Sequence, residues 1–172
     1  MIIKGLYVLF RWCMLMAFQV LVLRHVHVGS WIYFFPYVLF IIQLPFELNR
    51  FWVLTLAFIT GFGIDLYYHT NGIHAFACIT LGFVRTFYIK EIALREGLTQ
   101  IYRPHVYEMG TAWFIRYAMA LILVHHFLIF SIEQFSTDHI AVLVVKVILS
   151  TFATLFMSLG LQIVFSKTKS IS

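Results

Sequence analysis

Asp65 is the one carboxylate that falls clearly inside an apolar stretch of this 172-residue chain. An intramembrane aspartyl protease needs two carboxyl groups at matched depth, so that chemistry is not available. Asp65, His69 and His74 have the residue types of a metal-ligand set, and His125 with His126 adds two more imidazoles. Adjacent histidines on a helix point about 100° apart and do not readily chelate one ion. His69 and His74 straddle a turn, and no second acid or cysteine joins them, so neither a metal nor another cofactor is expected. Single histidines near a membrane interface are read here as amphipathic residues. The chain has no G-x-S-x-G, no HExxH and no Gly-rich phosphate loop. The expectation is a protein without catalytic residues.

The other charges inside apolar stretches are Arg11, Arg85, Arg116 and Lys146. A charge at the bilayer centre costs about 2.5–3.5 kcal/mol on insertion scales. Arg85 and Arg116 sit about one turn from a helix end, and Arg11 slightly deeper. Long basic side chains reach headgroups from such depths, so snorkelling is expected. Lys146 is about two turns from its nearer end. Asp65 is too short to snorkel. Two readings stay open for it: a carboxylate bonding the backbone of the next loop, near Thr70–Gly72, or an ion pair with a basic residue such as Lys146.

These residues sit on six apolar blocks: about 5–23, 31–46, 51–66, 73–89, 112–130 and 140–165. Hydrophobic residues make up 62% of the chain and charged ones 11%, against about a quarter charged in soluble domains. Mean hydropathy is +0.93. Roughly 20 apolar residues cross a bilayer as a helix, so the expected fold is an all-α, six-helix membrane bundle in one domain. Lys4, Arg50, Lys90, Arg95, Arg103, Lys167 and Lys169 fall in alternate gaps, and the opposite gaps hold only Arg24. The positive-inside rule then places both termini and the 90–110 loop in the cytoplasm. The net charge of +5 follows from this asymmetry and calls for anionic headgroups, not nucleic acid. Pro36 should bend the second block or mark its start, and Pro45 should help close it. Lys90–Glu96 should continue the fourth helix, with Gly97 and Pro104 breaking it.

Ala57, Gly61 and Asp65 share one broad face, and Ala75, Cys78 and Gly82 share another. Small residues let helices approach closely, so the third and fourth blocks should form a tight hairpin. Asn71-Gly72 readily takes positive φ and should reverse the chain. On the last block Lys146, Ser150, Thr154, Ser158 and Gln162 recur every fourth residue. Their hydroxyls bond either neighbouring helices or their own i−4 carbonyls.

The run Gly61-Phe-Gly-Ile-Asp65-Leu, followed by Gly72-Ile-His74-Ala75, resembles the bacterial rod-shape-determining MreD family. That family ends one helix on G-x-x-x-D-[LF] and opens the next on G-[LVIM]-x-A. The resemblance extends to Leu44-Pro45-Phe46-Glu47, Arg95-Glu96-Gly97, Trp113-Phe114 and His125-His126, and so covers most of the chain. It implies a non-enzymatic inner-membrane scaffold of the cell-elongation machinery. The implied partners are the bitopic protein MreC, MreB filaments, the glycosyltransferase RodA and a class B penicillin-binding transpeptidase. A homo-oligomer is left open. It also implies a fold similar to the substrate-binding subunits of energy-coupling-factor vitamin transporters. Such a subunit is the alternative function, although its A-x-x-x-A docking pattern appears here only as Cys13-x-x-x-Ala17. The residues expected to serve structure or partner binding are Gly61, Asp65, Gly72, His74, Ala75, Arg85 and Lys146.

Overall fold

The computed structural model describes residues 2–23, 31–96, 104–134 and 140–167, together with Val26 and Gly29. The described residues fold into helices α1 (Ile2–Ala17), α2 (Val38–Ile42), α3 (Arg50–Tyr68), α4 (Ile73–Glu96), α5 (Val106–Met109), α6 (Thr111–Gln134) and α7 (Ile140–Lys167). A π-helical turn, Phe18–Val22, continues α1. Four helical stretches are long and apolar enough to cross a membrane: Gly5–Val22, Arg50–Tyr68, Thr111–Gln134 and Ile140–Ile163. The chain is therefore an all-helical membrane protein. The expected extension of the fourth block to Glu96 is present. Gly97, Arg24, Arg103, Lys169 and the chain termini lie outside the described residues.

The second block departs from expectation. Of residues 31–46 only Val38–Ile42 is α-helical. Pro36 has no N–H to give and restricts its predecessor, which keeps 33–35 out of the helix. Pro45 helps end the helical stretch. Non-helical backbone at membrane depth is tolerated where protein surrounds it. Protein surrounds this segment: Phe35 through Leu44 are all buried, and Tyr37, Val38, Ile41 and Ile42 have no exposed surface. This segment forms the centre of the molecule. Val53, Ala57 and Ile64 of α3, Cys78 and Leu81 of α4, Tyr117 and Leu121 of α6 and Leu155 of α7 belong to the same core.

The α3–α4 hairpin forms as the small-residue faces require. Asn49 caps α3 by accepting from Phe51 N at 3.0 Å. His69 closes the helix in the left-handed conformation (φ 58°), a position the sequence pattern had not marked. Asn71 (φ 47°) and Gly72 (φ 92°) then reverse the chain as expected. Antiparallel packing follows along the pair: Gly61 faces His74 and Ala75, and Gly82 faces Ala57 and Val53. Near the start of α3 the Arg50 guanidinium lies 4.4 Å from the Phe83 ring centroid.

Candidate functional site

Three polar constructions meet on the 31–45 segment, buried from Phe35 to Leu44, and on the α3–α4 turn. The first is the turn itself. Four backbone N–H groups open α4, and none has a partner inside the helix. Ile73 N donates to Thr70 O at 3.1 Å and Phe76 N to Gly72 O at 2.9 Å. The remaining two, His74 N and Ala75 N, donate to Asp65 Oδ1 and Oδ2 at 3.0 and 2.7 Å. Thr70 Oγ1 also donates to Asp65 Oδ1, at 2.6 Å. Asp65 thus caps a helix that begins eight residues after it, and its negative charge lies at the positive end of that helix. Of its two expected roles this is the backbone-bonding one, with His74 and Ala75 as donors in place of the 70–72 amides. Lys146 does not pair with it; its ammonium stands 6.0 Å from the centroid of the Tyr33 ring.

The second construction closes the other end of the segment. Arg85 is 2% exposed and does not snorkel. Where α2 stops, its last carbonyls have no intrahelical donor. Arg85 reaches one of them and two beyond the helix: Nε donates to Ile42 O at 3.4 Å, and Nη2 donates to Leu44 O and, at 3.5 Å, to Pro45 O, both in the stretch after α2. Tyr117 Oη donates to Ile42 O at 3.0 Å. A cation at a helix C-terminus meets the negative end of the peptide dipoles. The snorkelling expectation fails because the unwound segment offers carbonyls that a continuous helix would have used itself. Arg116, by contrast, is exposed.

The third construction lies between these two. The extended stretch 33–35 takes its hydrogen bonds from α7: Tyr33 N donates to Ser150 Oγ at 3.0 Å and Phe35 N to Thr154 Oγ1 at 3.1 Å. The alternating hydroxyls of the last block therefore serve a neighbour at these two positions. His126 completes the chain. Its Nδ1 faces the carbonyl of Ile122 at 2.9 Å, which fixes the proton on Nδ1 and leaves Nε2 to accept from Thr154 Oγ1 at 3.1 Å. The Phe35 ring sits against His74 and His126, both with centroids 5.3 Å away, and Tyr37 at 5.9 Å. Tyr37 Oη lies 2.7 Å from His74 Nδ1 and 3.0 Å from His125 Nε2. Gln19, from the π-helical turn, donates to Phe34 O and to Tyr68 Oη, both at 3.1 Å.

His125 and His126 are fully buried. This corrects their reading as interfacial residues, and His74, at 2% exposed, joins them. His69 is exposed on the far side of the turn, so the trio Asp65, His69, His74 does not assemble. Among the described residues no three His, Cys, Asp or Glu side chains are placed to hold a metal ion. Tyr37, Tyr117, Ser150 and Thr154 were not singled out as site residues, although the hydroxyl row on the last block was visible. The missing signal is the unwound segment they bind, which hydropathy reads as one more apolar helix.

The α7 hydroxyls lead to a direct expectation. Thr154→Val keeps the shape of the side chain and leaves the Phe35 N–H buried without a partner, at a cost of about 1–3 kcal/mol. Thermal unfolding of the purified protein in detergent should show a lowered midpoint for Thr154→Val and a midpoint near wild type for Thr154→Ser.

Fold and site together define a helical membrane protein whose interior is filled by its own broken segment. No family model, curated protein or solved structure matches the chain.

Proposed function

We propose that the chain is a non-enzymatic scaffold of the bacterial inner membrane, of the MreD type. In this reading it binds an MreC-like bitopic protein and helps couple MreB filaments to RodA and a class B transpeptidase during cell elongation. The observation that carries the reading is the α3–α4 turn. Gly61, Asp65, Gly72 and Ala75, on which the family resemblance rests, work there as one packed and hydrogen-bonded unit. A motif that serves a helix junction suits a protein that acts by holding shape. A second support is the interior: Phe35, Tyr37 and Phe40 fill it as one packed cluster with residues of α3, α4, α6 and α7.

The reading includes six crossings, with 31–45 as a broken second one and both termini in the cytoplasm. The basic-residue asymmetry supports it. Reporter fusions at Asn71 and Ser172 should report opposite sides; the same side for both would defeat the topology.

The functional test is recovery of native complexes from bacterial membranes using the tagged full chain. The MreC homologue and the elongation synthase should co-purify, and depletion should round a rod-shaped cell. Unchanged shape, no such partners and tight binding of a vitamin by the purified protein would replace this function with the transporter one.

A further inference from the structure

Arg50 opens α3, at the positive end of that helix's peptide dipoles, where a cation is unfavourable. The first turn of α3 carries no acid to offset it. Two rings of α4 hold the guanidinium across the hairpin: its carbon lies 4.4 Å from the Phe83 centroid and 5.3 Å from the Phe87 centroid. Both distances fall within the roughly 6 Å reach of a cation–π contact. The rings also pack on each other, with centroids 4.8 Å apart. They steady the charge but offer no oxygen to its five N–H donors. Arg50, Phe83 and Phe87 are all exposed.

A second cation shares this face. Phe83, Phe87 and Lys90 follow one another at steps of four and three residues, which keeps them on one side of α4, and Lys90 is exposed. Glu91 is turned about 100° around the helix from Lys90. Glu47, exposed in the connection before α3, is the acid nearest to Arg50 in sequence. Two cations and a helix start outweigh it. Trp52, exposed in the first turn of α3, marks this level as that of the headgroups, where tryptophan is enriched. The exposed apolar surface continues from there into the membrane. Phe76 lies on the face of Phe83 and Phe87, and both it and Phe58 of α3 are exposed. From Phe87 to Phe76 the helix rises about 16 Å at about 1.5 Å per residue. One leaflet's share of a hydrocarbon core about 30 Å thick is close to that length.

We infer that this side of the α3–α4 hairpin binds one anionic phospholipid. Arg50 donates to the phosphate, Lys90 adds its charge beside the headgroup, and an acyl chain lies along Phe87, Phe83 and Phe76. A guanidinium suits a phosphate because its planar fork can bond two oxygens at once. Because Phe83 and Phe87 already seat it, Arg50 loses less freedom on binding than an unheld side chain would. The site depends on charge and shape alone. It requires neither a particular partner nor a particular side of the membrane, so it holds or fails independently of the scaffold function.

The test is native mass spectrometry of the full chain in detergent, titrated with dioleoylphosphatidylglycerol and, separately, with dioleoylphosphatidylcholine. The wild-type protein should retain one phosphatidylglycerol at concentrations where phosphatidylcholine is not retained, and inorganic phosphate should not displace it. Arg50→Gln should weaken that binding about fivefold, the worth of one basic residue at an anionic membrane surface. Phe83→Leu keeps the surface apolar but removes the nearer ring, and it should weaken binding as well. Arg116→Gln removes an exposed cation from α6 and should leave binding unchanged. Equal retention of the two lipids by the wild-type protein would overturn the site without recourse to any variant, and would leave Arg50 and Lys90 to an acidic segment of a partner protein. Displacement by inorganic phosphate would overturn it in favour of a free anion. A loss with Arg116→Gln as large as that with Arg50→Gln would overturn it too, since net charge alone would then account for the binding.

Discussion

Gly61→Leu should yield little or no folded protein in the membrane, and Gly61→Ala should already lower its stability measurably. A Cβ at Gly61 would stand 2.4 Å from His74 O, 2.6 Å from Ala75 Cα and 2.7 Å from Ala75 N. All three are backbone atoms, so no side chain can rotate aside, and α3 must move away from α4. Overpacking of a close contact commonly costs about 1–3 kcal/mol, and leucine adds three carbons to the methyl group that first meets the clash. Gly82→Ala is the control on the facing helix. Its Cβ would meet only side-chain atoms, with Ala57 Cβ at 3.3 Å as the nearest. Folded yield by size-exclusion chromatography should therefore fall in the order wild type, Gly82→Ala, Gly61→Ala, Gly61→Leu. Normal yield and partner recovery for Gly61→Leu would mean that α3 and α4 do not meet there.

The hairpin was legible because its signals are local. Small residues four apart, a carboxylate at the helix end and Asn71-Gly72 all lie within one continuous run, and each acts on its neighbours in sequence. The 31–45 segment was not legible for the opposite reason. Its composition is that of an apolar helix, and what unwinds it is only partly in the segment. Pro36 and Pro45 are there, but the groups that satisfy the unwound backbone inside the protein are Ser150, Thr154, Arg85 and Tyr117, each at least 40 residues away. Arg85 was misplaced as a consequence. With a continuous second helix it would have had no carbonyls to bond and would have been driven to headgroups. His125 and His126 were misplaced in the same way, since Tyr37 and Phe35 reach them only from the extended chain.

Asp65→Ala should be among the most damaging single changes that do not alter packing volume upward. It removes the acceptor for His74 N, Ala75 N and Thr70 Oγ1 together. Two of these donors are buried backbone N–H groups, and each left without a partner costs about 1–3 kcal/mol. The favourable meeting of a carboxylate with the start of a 24-residue helix is lost as well. Asp65→Asn keeps one oxygen and turns an amide NH2 toward the second donor, so it should lie between alanine and wild type in thermal midpoint. The exchange Asp65→Lys with Lys146→Asp should rescue nothing, because Lys146 stands by Tyr33 and not by Asp65. Rescue by that exchange would restore the ion-pair reading; a wild-type midpoint for Asp65→Ala would mean that water reaches the two amides. Gly61 and Asp65 act on the same atoms. Gly61 lets the backbone of His74 and Ala75 approach α3, and Asp65 then accepts their N–H groups. Once Gly61→Ala has pushed that backbone away, little remains for Asp65 to bond. The double variant should therefore be less destabilised than the sum of the two single ones, which is the behaviour of neighbours sharing one contact and not of independent sites.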